Sequence, residues 1–215
     1  MFKELYNILW HSSILSEVIT FGFGCMFYKS LKDYLKILFG IVTVGLFVDV
    51  VNTILTYNKI NNYFIFHYYT IIEFSLWVLF YYVFYRKANK RSILFFVLIP
   101  IFFLVCCIDY KINGLASMDN FSSSLEALIL TLFSLVSFKE LMNKNVAVNF
   151  LKNPFFIVNS GILIYFLGNL CFFTFSNYFC SNSGQDYMAP WGLHSILNTT
   201  FNLLICTSFW ISRTI

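Results

Sequence analysis

The chain has 215 residues, of which 59% are hydrophobic and only 11% are charged, and its formal net charge is +4. Soluble globular domains are about one quarter charged, so this composition excludes an ordinary water-soluble domain. Seven membrane spans of roughly 20 residues each would use about two thirds of the length and leave no room among these residues for a separate soluble domain.

Apolar runs separated by polar breaks predict seven transmembrane helices in chain order. The predicted spans are 5–28, 35–57, 63–85, 92–110, 121–142, 155–179 and 191–211. Helices are expected because lipid satisfies no backbone N–H or C=O group, and a membrane β-barrel would show short alternating strands instead. Pro154 and Pro190 stand just ahead of the last two spans, where a helix start tolerates a residue without an N–H. The predicted fold class is all-α, a polytopic membrane protein with one seven-transmembrane-helix bundle over residues 1–215.

The lysines and arginines predict an orientation for this bundle. Eleven of the fourteen fall in alternate gaps or in the tail: Lys29, Lys32, Lys36, Arg86, Lys87, Lys90, Arg91, Lys139, Lys144, Lys152 and Arg213. The other side carries only Lys3, Lys59 and Lys111. Because cytoplasmic loops carry an excess of Lys and Arg, we expect the N-terminus outside and the C-terminus in the cytoplasm, with the chain in the inner (plasma) membrane.

Ionisable side chains inside spans are the first candidates for function, because each costs about 2.5 to 3.5 kcal/mol at a helix centre unless it is paired or faces a cavity. Polar side chains within roughly 4 to 9 Å of the outer boundary, at the helical rise per residue, are His11, Asn52, His67, Glu126 and His194. Those roughly 12 to 18 Å from it are Glu17, Asp49, Glu73, Asn169 and Asn202. The cytoplasmic half is mostly apolar, apart from Asn159. This asymmetry predicts a pocket that opens outward and is closed below.

Helical spacing places some of these residues on shared faces. His194, Asn198 and Asn202 recur at every fourth residue of the seventh span, so they form one stripe that should face the bundle. Tyr165 and Asn169 share a face of the sixth span. The predicted ligand pocket comprises Glu17, Asp49, Asn52, Glu73, Tyr165, Asn169, Asn198 and Asn202, with His11, His67, Glu126 and His194 at its mouth.

The same mouth residues have a second interpretation. Three histidines and a carboxylate at similar depth, namely His11, His67, His194 and Glu126, also suit zinc or another transition metal. No span carries the HxxxH or HExxH pairing that is typical of such sites. The buried acids also have a structural interpretation, as protonated carboxyl groups that form hydrogen bonds across helices.

Three stretches resemble known sequences: HYYTIIEF (67–74), KNPFFIVNSGILIYF (152–166) and WGLHSILN (191–198). They are similar to an uncharacterised family of bacterial seven-span inner-membrane proteins, over nearly the whole chain. The resemblance implies that members lie beside sensor histidine kinases. It marks motif residues without assigning them roles: His67, Glu73, Asn153, Pro154, Asn159, Gly161 and His194.

Two other seven-span classes are useful for comparison. The ceramidase and adiponectin-receptor superfamily has the same helix count and binds zinc with three His and an Asp, including an HxxxH in its last helix. Here Asn198 stands where the second His of that pair would be, four residues after His194. Microbial rhodopsins hold retinal on a Lys in the last span, and the predicted seventh span contains no Lys.

These observations predict an integral membrane sensor or binding module. It would take a small molecule, lipid or ion into its outward-facing pocket and pass a helix shift to a cytoplasmic signalling protein. Protonation of the histidines near pH 6.5 would make it responsive to pH. A metal-dependent intramembrane lipid hydrolase and a proton-coupled transporter are the alternatives. The lipid bilayer is the expected surrounding, and no nucleic-acid partner is expected.

Overall fold

The computed structural model of the chain describes residues 2–86, 92–143, 150–181 and 188–213, and every regular element in these ranges is helical. The α-helices are α1 (Phe2–Phe27), α2 (Asp33–Tyr57), α3 (Tyr63–Tyr85), α4 (Ser92–Asn113), α5 (Asn120–Met142), α6 (Pro154–Thr174), α7 (Ser176–Ser181) and α8 (Met188–Ser212). The all-α prediction is therefore confirmed. Four basic residues used for the orientation, Lys87, Lys90, Arg91 and Lys144, lie outside the described residues.

Six helices, α1 to α6, are long and apolar enough to cross a membrane, judged over the described residues. Many of their large apolar side chains are exposed, for example those of Leu15, Phe47, Ile54 and Leu132, each more than half exposed. Such surfaces would be unfavourable in water and suit contact with lipid. The fold therefore indicates a multi-pass membrane protein.

The helix α8 has 25 residues, which is enough to cross a bilayer. It is less apolar than the other six because its middle contains His194, Asn198 and Asn202 together with two threonines. The seven-span count and the orientation of the termini therefore remain predictions.

The start of α6 follows the sequence prediction, whereas its end differs. Asn153 caps the helix, since its side-chain oxygen accepts from the backbone N–H of Phe155 at 3.1 Å, and Pro154 is the first helical residue. The predicted sixth span extended to residue 179, but α6 ends at Thr174 and the short α7 follows. Ser176 Oγ donates to the Phe173 carbonyl at 3.0 Å, and such local hydroxyl bonds compete with helix continuation.

The chain divides into two compact units, Lys32–Glu126 and the pair of segments Met1–Leu31 and Ala127–Ile215. The division falls inside α5. In the unit Lys32–Glu126, α2 packs on α3 and α3 packs on α4. One half of this unit has a core of buried rings, which we call the aromatic block: Tyr34, Trp77, Phe80 and Tyr81. Its edge-to-face contacts, such as Tyr34 to Phe80 with centroids 5.8 Å apart, are a favoured geometry for aromatic pairs.

In the other unit, α8 packs against both α1 and α6. Two glycines of α6 permit close approach to α8, as expected for small residues at membrane helix interfaces. A Cβ atom added at Gly161 would lie 2.9 Å from Phe201 Cδ2, and one added at Gly168 would lie 2.8 Å from Leu197 Cδ1. The helices α5 and α6 are joined by two reciprocal hydrogen bonds, from Ser134 Oγ to the Asn159 carbonyl (2.9 Å) and from Asn159 Nδ2 to the Ser134 carbonyl (3.0 Å).

The helix α4 contains Pro100 in its interior. Proline has no backbone N–H, so the carbonyl of Phe96 receives no helical hydrogen bond from the residue four positions later. Cys106 and Asp109 follow this break within the same helix.

We expect Gly161→Ala to lower the stability of the protein by about 1 to 3 kcal/mol through overpacking. The ring of Phe201 is stacked on Tyr165 with centroids 5.0 Å apart, so it has little freedom to move away. Gly168→Ala should cost less, because the obstructing atom is the end of a flexible leucine. Gly22→Ala is the control, since nothing lies within 4 Å of its added Cβ. Thermal unfolding in detergent measures all three, and equal losses for Gly161→Ala and Gly22→Ala would contradict the close approach.

Candidate functional site

Acidic side chains from several elements lie close together in the unit Lys32–Glu126. Glu73 on α3, Asp119 just before α5 and Glu126 on α5 interact electrostatically with one another, and we call these three the carboxyl cluster. Asp49 on α2 acts on Glu73 as well. Asp119 and Glu126 are only 2% and 3% exposed. Buried acids in apolar helices are costly and mark candidate functional sites.

The segment between α4 and α5 is held against α3. Gly114, with φ +71, ends α4 in a left-handed conformation that favours glycine. Thr70 Oγ1 then donates to Asp119 Oδ2 at 2.5 Å, and His67 Nε2 donates to the Ser117 carbonyl at 3.1 Å. Because a carbonyl only accepts, Nε2 is the ring nitrogen that carries the hydrogen.

The environment of Asp119 opposes its ionisation in one respect and favours it in others. Burial raises the pKa of Asp119, while hydrogen bonds from Thr70 and Ser123 and the nearby imidazole of His67 act in the opposite direction. The net direction is upward. The cluster is therefore an environment in which a carboxyl group retains its proton to higher pH than in water.

Glu73 and Glu126 differ in the hydrogen bonds that they receive. Glu73 accepts from Trp77 Nε1 at 3.3 Å and from the side chain of Tyr69. Glu126 Oε1 is buried and has no hydrogen-bond partner among the described residues. A buried carboxyl oxygen without a donor is exceptional in proteins and calls for a specific explanation.

A neighbouring network fixes the end of α4 to the start of α5. Asp109 Oδ2 accepts from the backbone N–H of Ser122 at 2.7 Å and from its hydroxyl at 2.5 Å. Asp109 Oδ1 accepts from Asn113 Nδ2. Asp109 is completely buried and has three donors, so its role is to position these two helices.

Asn52 lies at the end of the same unit. Its side-chain oxygen accepts from Asn62 Nδ2, and Asn62 also donates to Thr56 Oγ1 at 3.0 Å. These bonds join the end of α2 to the start of α3. Asn52 therefore holds a turn, and no printed contact links it to the carboxyl cluster.

The polar residues predicted on the first and last spans form a separate group in the other unit. Asn198 Nδ2 donates to Ser13 Oγ at 2.9 Å, and Asn202 Nδ2 donates to Ser16 Oγ at 3.1 Å. Thr20 Oγ1 donates to the Asn202 carbonyl at 3.0 Å. We call these bonds the amide ladder between α1 and α8. Its four-residue spacing is that of one helix face.

His194 continues the stripe of the amide ladder but bonds to α6. Its Nδ1 donates to Asn169 Oδ1 at 3.1 Å, and Asn169 is fully buried. Four aromatic rings surround the imidazole, with centroids 5.2 to 6.1 Å away: Tyr165, Phe172, Phe173 and Trp191. His194 is thus a packed and hydrogen-bonded member of the α6–α8 interface.

The structure thus places the predicted pocket residues in two groups. The unit Lys32–Glu126 holds Asp49, Asn52, His67, Glu73 and Glu126. The other unit holds His11, Glu17, Tyr165, Asn169, His194, Asn198 and Asn202. His11 is exposed on α1 beside Trp10, whereas Glu17 is 7% exposed. In the part of the chain that the structure describes, no group of three or more His, Cys, Asp or Glu is arranged to hold a metal ion. A single pocket shared by all these residues remains a prediction.

The sequence analysis missed Asp109, Asp119, Thr70 and Ser122. The two aspartates fall at or beyond the ends of predicted spans, so they were treated as ordinary loop residues. A usable signal exists, because Asp is a preferred residue just before a helix start, and the Asp119 carbonyl does accept the first bond of α5 from Ser123 N at 3.0 Å.

No family model, curated protein or solved structure matches this chain. Function is therefore argued from its own residues and their geometry. Of the two polar groups, the carboxyl cluster has the buried oxygen without a donor, so it is the candidate functional site.

The raised pKa of Asp119 predicts a pH dependence of stability. A free Asp has a pKa of about 3.9, and an acid whose pKa is raised on folding contributes stability at low pH that is lost as pH rises through the folded value. Asp119→Asn should remove this loss, so the variant gains stability relative to the unmodified protein as the pH rises from about 4. Thermal unfolding measured at a series of pH values tests this. Asp33→Asn, at an exposed residue paired with Arg86, should leave the profile unchanged.

Proposed function

We propose that this chain is a seven-span membrane sensor, a binding module that takes a small ligand or ion at the carboxyl cluster from the outer face and relays its occupancy to a cytoplasmic partner. The observation that supports it most directly is the convergence of α3, the segment before α5 and α5 itself on Glu73, Asp119 and Glu126. The hydrogen bonds of Thr70 and His67 to this segment give the site a defined shape. A fixed arrangement of supporting bonds is what a binding site requires.

The distribution of polarity in the unit Lys32–Glu126 supports binding. The carboxyl cluster lies toward the ends of α3 and α5 that meet the segment 114–119. The opposite half is filled by the aromatic block, whose members are at most 9% exposed. A ligand that enters at the polar end meets closely packed rings on the other side, so the site has one opening.

The proposed relay runs along α3. This helix carries His67, Thr70 and Glu73 near one end and Arg86 directly after the other end. Arg86 Nη2 pairs with Asp33 Oδ2 at 2.9 Å, and both side chains are partly exposed. A shift of α3 upon binding would therefore alter a charged surface on the side that the basic residues assign to the cytoplasm. A signalling protein with a charged contact face is the partner we expect there.

The carboxyl cluster also favours a second candidate, a proton-coupled transporter, because membrane carriers use buried acids as proton relays. Proteoliposomes loaded with a pH-sensitive dye separate the two functions. A sensor should dissipate an imposed pH gradient no faster than empty liposomes do. Faster dissipation that Glu73→Gln abolishes would establish transport.

Thiol labelling tests whether the site opens outward. In a background without native cysteines, Ser117→Cys, beside the carboxyl cluster, should react with a membrane-impermeant thiol reagent added to intact cells. Ser30→Cys is the control at an exposed position on the predicted cytoplasmic side, and it should react only in inverted vesicles. Labelling in the reverse pattern would overturn the orientation, and no labelling of Ser117→Cys from outside would overturn the outward opening.

A fluorescent-protein fusion after residue 215 tests the number of spans. If residue 117 is outside and the C-terminus is in the cytoplasm, the chain crosses the membrane an odd number of times between them, which requires α8 as well as α5 and α6. We therefore expect a fluorescent fusion whose tag is digested by protease only in inverted vesicles. A tag digested on intact spheroplasts would reduce the count to six.

A further inference from the structure

We infer that the ligand of the carboxyl cluster is a proton, which Glu126 carries and shares with the carboxylates of Glu73 and Asp119. This inference rests on the proposed function, because it names what the same site binds. Uptake forms one O–H bond at the Glu126 carboxyl group and removes one negative charge, and release to water reverses both changes. No other reactant is needed.

The burial of Glu126 is the first argument. The residue is 3% exposed and its Oε1 receives no hydrogen bond from the described residues. If Glu126 were ionised, its charge would be buried without a donor and beside two further acids. A buried charge in that situation is strongly unfavourable, and a carboxyl group escapes it by remaining protonated. A proton is also the one ligand that needs no space beside an oxygen that is closed to water.

The distribution of donors is the second argument. Asp119 receives hydrogen bonds from Thr70 and Ser123, and Glu73 receives them from Trp77 and Tyr69. These two acids are thus provided with the donors that a carboxylate needs. Glu126 lacks them, so it is suited to act as the donor. Acids that cannot all be ionised at close range share protons in this way.

The groups around the cluster belong to each neighbouring element of its unit. Asp49 acts from α2, His67 from α3, and Cys106 and Asp109 from α4. Asp49, Asp109 and Cys106 add negative charge when ionised and so favour retention of the proton. His67 faces Asp119 and favours ionisation of that residue, which leaves Glu126 as the member that holds the proton.

Infrared spectroscopy of the protein in nanodiscs tests the inference directly. The carbonyl stretch of a protonated carboxylic acid is separate from that of a carboxylate, so a band from Glu126 should be present at neutral pH and disappear as the pH is raised. Glu126→Gln should abolish the band. Glu140→Gln, at an exposed position on the same helix, should leave it unchanged. A spectrum without the band at neutral pH, or a band that survives in Glu126→Gln, would overturn the inference.

Two further measurements keep the test decisive. If Glu126→Gln does not fold, Glu126→Asp keeps the acid and should retain the band at a shifted position. Sodium, potassium or calcium added at constant pH should leave the band of the unmodified protein unchanged, and loss of the band on addition of one of them would assign the site to that cation instead. The outcome is independent of Ser117→Cys labelling, which can fail and refute the outward-opening sensor while the band still reports the proton.

Discussion

The structure depends on one constraint: a polar side chain inside the hydrocarbon layer has to find its partner within the protein, because lipid offers none. The helix contacts follow from it. Asn159 and Ser134 satisfy each other's backbone carbonyls across α5 and α6, and Asn169 accepts from His194 across α6 and α8. In a medium where apolar packing gives little net gain over contact with lipid, such bonds and the close approach of small residues select which helices are neighbours.

The two units satisfy this constraint with different chemistry. The amide ladder joins α1 and α8 through neutral amides and hydroxyls, so it adds no charge and its strength does not depend on pH. The unit Lys32–Glu126 uses carboxyl groups, which need either donors or protons. Asp109 is fully supplied with donors, whereas Glu126 is not. A purely structural role would be served as well by amides, and this difference is the reason to place function at the carboxyl cluster.

Sequence alone predicted the helical class, most helix positions and the cap of α6, because these depend on apolar run length and on local residues such as Asn153 and Pro154. It also singled out Glu73, Glu126 and His67 through the cost of placing them in lipid. It did not reveal the role of Asp119 or Asp109, since their importance comes from how α3, α4 and α5 are rotated against one another. The same rotation leaves His11 exposed and encloses His194 in aromatic rings, which helical spacing within a single span does not specify.

Pro100 gives α4 a property that the neighbouring helices lack. Bending a helix ordinarily stretches the backbone hydrogen bonds on its convex side, and the bond that would resist bending at this position is already missing. The segment from residue 101 to residue 113 therefore behaves as a separate lever, stiff along its own length and compliant at its base. Since Asp109 lies near its tip and is anchored to Ser122, the mechanical softness of a single peptide group in α4 is delivered to the first turn of α5.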